Sequence, residues 1–376
     1  MEFLPFVTDL QRRLEERAPL IQVVLGPRQV GKTTGIKHCQ KKLKAGAVYV
    51  SADDLPVHGR AWLIEQWQKA RVNGRGTVLI IDEIQKIGNW SETIKLLWDE
   101  TRRGDVKVVL LGSSSLELQK GLTESLAGRY EAIQVHHWNF HESRAIRKLT
   151  LEQYLEFGGY PGSYSLLKDE ERLRNYVLQS IIDRVIDKDI LSLARVKSPA
   201  LFRQSFEILC SYPAQEISLT KLLGQLQEGG NVELVKYYIT LFEGAFLVKA
   251  LRKYSTKPIK TRVSSPKILP MCPALTLISA KPPEIGRQLE LAVGALLARN
   301  FRNLYYWRDG AHEVDFIVDD RSGLYAIEVK SGRRKSTRGL DEFLKRCPNG
   351  RPVFIDLENF ELFDKDPKAF LSRLAR

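Results

Sequence analysis

The feature that most constrains this chain is a glycine-rich loop between a short apolar segment and a stretch suited to a helix. The loop has the pattern G-x-x-x-x-G-K-[ST]. Its defining residues are Gly26, Gly31, Lys32 and Thr33. The apolar, β-branched segment 20–25 precedes it, and residues 34–43 follow as the helix. Strand, loop and helix in this order predict a site for phosphate groups. A chance glycine loop is the alternative.

The loop predicts binding of ATP with Mg²⁺. Its glycines allow the chain to wrap closely, so that backbone N–H groups point at phosphate oxygens. We expect Lys32 to reach the outer phosphates and the Thr33 hydroxyl to ligate Mg²⁺. The predicted nucleotide-binding residues are Gly26, Pro27, Arg28, Gln29, Val30, Gly31, Lys32, Thr33, Thr34 and Ser113.

A second apolar segment, 77–81, ends in Asp82 and Glu83. In α/β sheets the carboxyl ends of the strands open onto the ligand. We therefore predict that Asp82 belongs to the Mg²⁺ shell and that Glu83 is catalytic, orienting or deprotonating the attacking water. A simple turn at the end of a strand is the alternative.

Two further residues are candidates for the same site. One is Ser113 or Ser114, just after the apolar segment 106–111, which could sense the γ-phosphate through the attacking water or belong to a turn that caps the next helix. Arg129 lies between a helix and the strand 132–135. It is either a surface charge or an arginine finger that acts on a neighbouring subunit.

Five segments in order carry a family resemblance: GPRQVGKTT, LIIDEIQK, LLGSSSLEL, LAGRY and EFGGYPGSY. They resemble the bacterial and archaeal AAA-type ATPases whose C-terminal half is a domain of unknown function, DUF4143. That family is similar to the STAND-like NTPases. The resemblance covers nearly the whole chain and implies an AAA-like P-loop core. It implies Lys32 and Thr33 on the phosphates and Mg²⁺, Asp82 and Glu83 as the acidic pair, and Arg129 in a Gly-Arg position.

The central part of the chain predicts a helical lid on the nucleotide, residues 148–197, and a winged-helix domain, residues 198–265. The charges of the lid helix, among them Asp187 and Asp189, are predicted to form a solvated face. The winged-helix order is helix, helix, turn, helix and β-wing. Its third helix is expected to expose Glu233, Lys236, Tyr237 and Tyr238, and its basic wing residues are Arg252, Lys253, Lys257, Lys260 and Arg262. Such a domain contacts DNA, or else mediates protein contacts or serves as a spacer.

Residues 266–376 begin with a proline-punctuated linker that contains a short strand, 266–283. They then place Glu290 on a helix, Asp315 on a strand, and Glu328 and Lys330 on the next strand. This order resembles the PD-(D/E)xK nuclease fold. Two residues apart on a strand, Glu328 and Lys330 share a face. We expect Glu290, Asp315 and Glu328 to bind Mg²⁺, with Asp315, Glu328 and Lys330 catalytic. A structural pair, or a fold whose catalysis has lapsed, is the alternative.

Composition sets the remaining expectations. The chain has 376 residues and a net charge of +13, which is compatible with a polyanionic partner. Its four cysteines form no CxxC pair, which predicts a reducing, cytoplasmic compartment. No segment offers the roughly 18 apolar residues that span a bilayer. The sequence thus predicts an α/β protein with an AAA-like core in residues 1–147, followed by the lid, the winged helix and the nuclease-like domain.

Two functional hypotheses follow. The first is a Mg²⁺-dependent ATPase whose nucleotide state controls a DNA-binding C-terminal half that is able to cut. The alternative is a STAND-like regulatory ATP switch that binds protein partners and carries an inert nuclease-like domain. Either could assemble as a homo-oligomer, a ring or a dimer, and neither predicts a membrane partner.

Overall fold

The computed structural model describes residues 4–17, 19–43, 46–53, 59–102, 104–112, 115–192, 194, 196, 198–225, 231–255, 264–332 and 337–373. Ser113, Ser114 and the wing residues Lys257, Lys260 and Arg262 lie outside these ranges. The fold is mixed α/β and divides into two units. The first comprises Met1–His136 and Arg184–Ala194, and the second comprises His137–Asp183 and Arg195–Arg376.

The first unit is built on a parallel sheet. Its described strands are β1 (Ile21–Leu25), β2 (Ala47–Ser51), β3 (Thr77–Asp82), β4 (Val106–Leu111) and β5 (Tyr130–Gln134). They lie side by side in the order β2-β3-β4-β1-β5. Every residue of β1 and β3 is buried, as expected for central strands covered on both faces. Because all pairings are parallel, the carboxyl ends of β1 and β3 meet at one edge of the sheet.

Five α-helices are described in this unit. They are α1 (Pro5–Glu15), α2 (Lys32–Lys42), α3 (Arg60–Val72), α4 (Trp90–Glu100) and α5 (Ser115–Ser125). A 3-10 helix, Ile84–Lys86, precedes α4, and a π-helical segment, Val185–Leu191, completes the unit. The apolar pattern predicts one helix over residues 84–102, but Asn89 adopts φ 53°. This left-handed residue ends the continuity of the helical backbone, and α4 begins at Trp90.

The second unit contains ten described α-helices. They are α6 (Phe140–Arg147), α7 (Leu151–Phe157), α8 (Glu170–Asn175), α9 (Pro199–Ser211), α10 (Leu219–Gln225), α11 (Val232–Gly244), α12 (Ile285–Asn300), α13 (Arg338–Arg346), α14 (Phe360–Lys365) and α15 (Pro367–Arg373). Short 3-10 helices occupy Ser163–Leu166 and Pro273–Ile278, and Tyr176–Ile182 is π-helical. Capping boxes begin α6 at Asn139 and α7 at Thr150, which satisfies backbone donors that a helix start leaves open.

The sheet of the second unit is mixed. Its described strands are β6 (Gln215–Glu216), β7 (Val248–Lys253), β8 (Lys267–Pro270), β9 (Leu304–Asp309), β10 (His312–Asp320), β11 (Gly323–Lys330) and β12 (Gly350–Asp356). The order across the sheet is β12-β11-β10-β9-β7-β8-β6. Strands β9, β10 and β11 form an antiparallel meander, and β12 runs parallel to β11.

The segment predicted as a linker is part of this buried sheet. Strand β8 pairs with both β7 and β6, and all four of its residues are buried. The following 3-10 helix is also largely buried. The short strand predicted in this segment is confirmed as β8, but its interpretation as a linker was wrong: the prolines punctuate short elements whose apolar side chains enter the core.

Candidate functional site

The loop between β1 and α2 is shaped by two glycines with positive φ. Gly26 has φ 155°, and a Cβ there would lie 2.3 Å from the carbonyl oxygen of Val135, so a side chain is excluded. Gly31 has φ 90° and immediately precedes α2. The first N–H groups of this helix therefore face the loop, an arrangement that attracts anions.

Lys32 lies inside this loop with 8% of its surface exposed. Its ammonium donates hydrogen bonds to the carbonyl oxygens of Gly26, at 2.8 Å, and Pro27, at 2.6 Å. Burial lowers the pKa of Lys32 to about 8, although the carboxylate of Glu83 acts in the opposite direction. Because the acceptors of these two hydrogen bonds are neutral carbonyls, this buried ammonium is further stabilised by an approaching anion. The lysine is thus placed to bind a phosphate group.

Arg28 points from the loop to Asp189 in the π-helical segment. Its Nε and Nη2 donate to the two carboxylate oxygens of Asp189, forming a bidentate ion pair. Asp189 is 4% exposed. The prediction that the charges of this segment form a solvated face is therefore wrong for Asp189. The signal was present in the sequence, since Asp189 follows the buried Val185 by four residues, the spacing of one helical face.

The other predicted loop residues divide by exposure. Pro27 and Val30 are buried, whereas Gln29 and Thr34 are exposed to solvent. Gln29 also has a positive φ of 58°. Residues 26–31 therefore form the loop and residues 32–34 begin α2, and the two cations of this segment, Arg28 and Lys32, have largely buried side chains.

Thr33 and Asp82 come together although they lie on α2 and at the end of β3. The Thr33 hydroxyl donates to Asp82 Oδ2 at 2.9 Å, and the Tyr49 hydroxyl donates to the same oxygen at 2.7 Å. The Glu83 N–H donates to the other carboxylate oxygen at 3.0 Å. Tyr49 was not predicted. It is placed by the parallel pairing of β2 with β3, which a single apolar strand does not reveal.

This hydroxyl and carboxylate fit a magnesium ion. Mg²⁺ prefers oxygen ligands and is commonly held by one or two protein oxygens together with phosphate oxygens. Thr33 and Asp82 supply two adjacent oxygens beside the anion-attracting loop. The structure thus brings together the two residues that were predicted to hold the ion, and their role as ligands stays a prediction.

Glu83 has a constrained position next to this pair. Its backbone φ of 55° is left-handed, which is uncommon for a residue with a side chain. Gln85 donates from Nε2 to Glu83 Oε2 at 2.6 Å. The buried Gln85 Oε1 has no hydrogen-bond partner in the described structure. Gln85 thus positions the carboxylate, a role that its place two residues after Glu83 could have suggested.

A further carboxylate, Glu117 on α5, lies within electrostatic range of the site. Burial raises the pKa of Glu117, and the carboxylates of Asp189 and Glu83 raise it further. Burial likewise raises the pKa of Asp189, although Arg28 opposes that effect. The site therefore combines two cations, Arg28 and Lys32, with acidic side chains from three other parts of the unit. These are Asp82 and Glu83 at the end of β3, Glu117 on α5 and Asp189 in the π-helical segment.

Arg129 does not join the site of its own chain. Tyr130, the next residue, pairs with Ile21 at the start of β1, whereas the phosphate loop follows the end of that strand. A strand of this length separates the two positions by roughly 13 Å. The guanidinium instead forms a bidentate ion pair with Asp99, with both N–O distances 2.8 Å. Ser113 cannot be located, because it lies outside the described residues.

The predicted C-terminal site contains a residue that the sequence did not point to. Lys267, on β8, is fully buried. Its ammonium donates to Glu290 Oε1 at 2.6 Å and lies 3.7 Å from Asp315 Oδ1. Burial acts to lower the pKa of Lys267, but Glu290, Asp315 and Glu313 outweigh it and the pKa is raised. A lysine at the start of an otherwise apolar strand was the available signal.

The remaining predicted residues surround this lysine. Glu290 Oε2 accepts a hydrogen bond from Arg287 at 2.6 Å, and Asp315 Oδ2 accepts from the Val329 N–H at 2.8 Å. Lys330 pairs with Glu328 at 2.6 Å. Burial raises the pKa of Glu328 to about 7, and the neighbouring Asp315 adds to the effect. The structure thus brings these carboxylates together in one cluster, where they are already paired with Lys267, Arg287 and Lys330.

The parallel sheet, the glycine loop at the end of β1 and the hydroxyl–carboxylate pair at the end of β3 define a P-loop nucleotide-binding fold. Comparison with known proteins agrees. Residues 18–144 match the model of an AAA domain. Residues 148–275 and 285–366 match two domains of unknown function, DUF8612 and DUF4143. Over residues 18–144 the chain is therefore similar to the AAA-type P-loop ATPases.

The relatives cover most of the chain. An uncharacterized protein of Methanocaldococcus jannaschii, MJ1544, is 25% identical over 79% of this chain and 72% of its own length. Rv2008c of Mycobacterium tuberculosis, also uncharacterized, is 26% identical over 92% of this chain and 76% of its own length. Among solved structures, the Walker-type ATPase Paby2304 of Pyrococcus abyssi matches with a TM-score of 0.51 and 14% identity, covering 73% of this chain and 94% of that one. This last likeness concerns the fold.

Within the described ranges, none of the helices is long and apolar enough to cross a bilayer.

Proposed function

We propose that this protein is a Mg²⁺-dependent ATPase whose nucleotide state controls a DNA-binding C-terminal half. The observation that carries the proposal is the meeting of the Thr33 hydroxyl with the Asp82 carboxylate, 2.9 Å apart, beside the buried ammonium of Lys32. The ammonium suits the negative charge of the triphosphate, and the hydroxyl and carboxylate suit the Mg²⁺ ion that accompanies ATP.

The chain's own residues suggest how hydrolysis would proceed. Backbone N–H groups of the loop and the Lys32 ammonium hold the phosphates, while Thr33 and Asp82 hold the metal. When bound, Mg²⁺ neutralises charge on the phosphate oxygens. Glu83, held by Gln85 at 2.6 Å, orients a water and takes its proton.

Support for a winged helix comes from the order of elements between α9 and β8. Helix α9, strand β6, helices α10 and α11, and then strands β7 and β8 follow the pattern of that motif, and β8 pairs with both β6 and β7. On α11, Lys236 and Tyr237 are exposed, as predicted. Tyr238 is 1% exposed and packs edge-on against Phe202, so its predicted exposure was wrong.

Support for nucleic acid as the partner comes from a basic cavity beside α11. The cavity has a volume of about 440 Å³ and is lined by four cationic side chains, Lys236, Lys249, Arg252 and Arg302. Lys249 is balanced by Glu243 at 3.1 Å, and Lys236 by Glu233 at 2.8 Å. Among the described residues, Arg252 and Arg302 have no acidic partner and can attract an anion, and a phosphate backbone is an anion that suits a chain with a net charge of +13.

The division into domains remains part of the proposal. The boundary of the core at residue 147 is supported by the AAA domain model, which ends at residue 144. Of the proposed helical lid, 148–197, the segment Arg184–Ala194 groups with the first unit and supplies Asp189, whereas the rest of the range belongs to the second unit. The order of α12, β9, β10, β11, α13 and β12 supports the nuclease-like domain. A reducing, cytoplasmic location is supported by the free thiols of all four cysteines.

The role of Arg129 in a homo-oligomer also remains a proposal. Its guanidinium lies near the amino-terminal edge of the sheet, and 29% of its side chain is exposed. If the ion pair with Asp99 opens, the Arg129 guanidinium could therefore contact the nucleotide site of a neighbouring subunit.

The test is ATP turnover by the full chain with and without duplex DNA, at several salt concentrations. The proposal predicts Mg²⁺-dependent turnover that DNA changes, and DNA affinity that falls steeply with salt. Arg252→Ala should reduce the slope of log affinity against log salt by about one, because one phosphate contact is lost. The control Arg321→Ala changes an exposed arginine outside the cavity and should leave the slope unchanged. ATP turnover that DNA does not change, together with DNA binding that does not depend on salt, would exclude DNA as the partner.

A second candidate is the regulatory ATP switch that binds protein partners. It is favoured by one observation, the buried Lys267 among the carboxylates of the nuclease-like cluster. Very slow turnover together with tight retention of nucleotide, and no response to DNA, would support the switch over the DNA-controlled ATPase.

A further inference from the structure

The resemblance of the C-terminal domain to PD-(D/E)xK nucleases implies a metal ion among Glu290, Asp315 and Glu328. The described residues include no group of three or more His, Cys, Asp or Glu side chains arranged to hold a metal ion. The reason lies in the geometry of the cluster. A lysine ammonium occupies the space that the metal ion would need.

Lys267 has the surroundings of a bound cation. Its Nζ lies 2.6 Å from Glu290 Oε1, 3.1 Å from the backbone oxygen of Asp315, 3.5 Å from Glu313 Oε1 and 3.7 Å from Asp315 Oδ1. It also lies 4.8 Å from the centre of the Phe316 ring. Four oxygens from three residues therefore converge on one positive charge, as oxygen ligands would converge on a hard metal cation.

Three further oxygens of the cluster, one each from Glu290, Asp315 and Glu328, are also engaged. The second oxygen of Glu290 accepts from Arg287, and the second oxygen of Asp315 accepts from the Val329 N–H. Glu328 is paired with Lys330. A divalent ion would have to displace these donors as well as approach an ammonium of like charge, and both changes are unfavourable in a buried site.

The side chain of Lys267 is enclosed by packed structure and cannot reach solvent by a simple rotation. Its side chain is 0% exposed, and its backbone belongs to β8, which is paired with a strand on each side. Helix α12, which carries Glu290, and strand β10, which carries Asp315, enclose the ammonium. An arginine or lysine at the protein surface could swing into water, whereas this lysine would have to do so through the packed sheet.

We propose that Lys267 is the permanent cation of this cluster, and that the C-terminal domain binds no divalent metal there and does not cut DNA by metal-dependent hydrolysis. The cluster instead ties β8 to α12 and β10. This inference is independent of the proposed ATPase activity, because it concerns residues outside the nucleotide site and is tested without nucleotide.

The experiment is a Mn²⁺ titration of the nucleotide-free full chain, with free Mn²⁺ measured by electron paramagnetic resonance. Wild type is compared with Asp315→Asn and with Lys267→Met, a substitution that removes the charge and keeps an unbranched chain. We expect wild type and Asp315→Asn to give the same isotherm, whatever Mn²⁺ the nucleotide loop binds. We expect Lys267→Met to gain one Mn²⁺ site, which the further change Glu290→Gln removes.

Two outcomes would overturn the proposal. One is a Mn²⁺ site in wild type that Asp315→Asn abolishes, together with Mn²⁺-dependent plasmid nicking that the same variant loses. The other is a folded Lys267→Met variant that gains no Mn²⁺ site. If Lys267→Met does not fold, the comparison of wild type with Asp315→Asn still decides, because identical isotherms and no nicking support the proposal and different ones refute it.

Discussion

Replacing Asp189 by asparagine keeps the shape of the side chain and removes the charge that holds Arg28 of the phosphate loop. Only 17% of the arginine side chain and 6% of the aspartate side chain are exposed. Breaking such a buried pair by removing one partner costs about 3–5 kcal/mol, because the remaining charge is left without a counter-charge. Glu83 and Asp53 also act on the charge of Arg28, so we expect the lower end, about 3 kcal/mol.

The assay is thermal unfolding of the nucleotide-free chain, following the transition that ATP shifts. For a unit of this size, about 3 kcal/mol corresponds to a fall of roughly 6–12 °C in Tm. The control is Lys188→Gln, which removes the charge of an exposed residue next to Asp189 in the same π-helical segment. Its effect should stay within about 0.5 kcal/mol.

A double variant separates the charge effect from simple loss of packing. Arg28→Met combined with Asp189→Leu replaces the ion pair by apolar side chains, an exchange that is often neutral for a buried pair. We therefore expect the double variant to recover most of the Tm that Asp189→Asn loses. A fall of less than 2 °C in the single variant, or a double variant as unstable as the single one, would refute the buried ion pair.

The remaining predictions concern the reaction and its pH dependence. Glu83→Gln should lower ATP turnover by about 100-fold or more while ATP affinity is kept; parallel loss of binding and turnover would contradict a catalytic role. ATP affinity should be constant below the pKa of Lys32, about 8, and should fall above it by up to about tenfold per pH unit, since binding must then restore the lysine proton. Lys32→Arg, which keeps its charge, should bind more weakly but lose this dependence; the same fall in the arginine variant would assign it to another group.

Most of the fold of the first unit could be predicted because its sequence is locally consistent. The central strands are uninterrupted apolar runs, and the structure places β1 and β3 as fully buried strands. The glycines of the phosphate loop were predictable for the same reason, since Gly26 and Gly31 both have the positive φ that their residue type allows.

Contacts between distant segments could not be predicted from local pattern. Tyr49 reaches Asp82 only because β2 pairs with β3. Lys267 meets Glu290 and Asp315 because β8 enters the sheet between β7 and β6, where a proline-rich linker was expected. Such contacts depend on strand register and strand order, and the apolar periodicity of a single segment predicts neither.

The most direct test of the central claim, that residues 26–34 bind Mg²⁺-ATP, is the equilibrium affinity for ATP of Lys32→Ala by isothermal titration calorimetry at pH 7 with Mg²⁺. The matched control is Lys41→Ala, an exposed lysine in the last turn of the same helix. Loss of a charged hydrogen bond of at least about 2 kcal/mol predicts that Lys32→Ala binds ATP at least about 30-fold more weakly, with Lys41→Ala unchanged. Equal ATP affinity in wild type and Lys32→Ala would contradict the assignment of this loop as the nucleotide site.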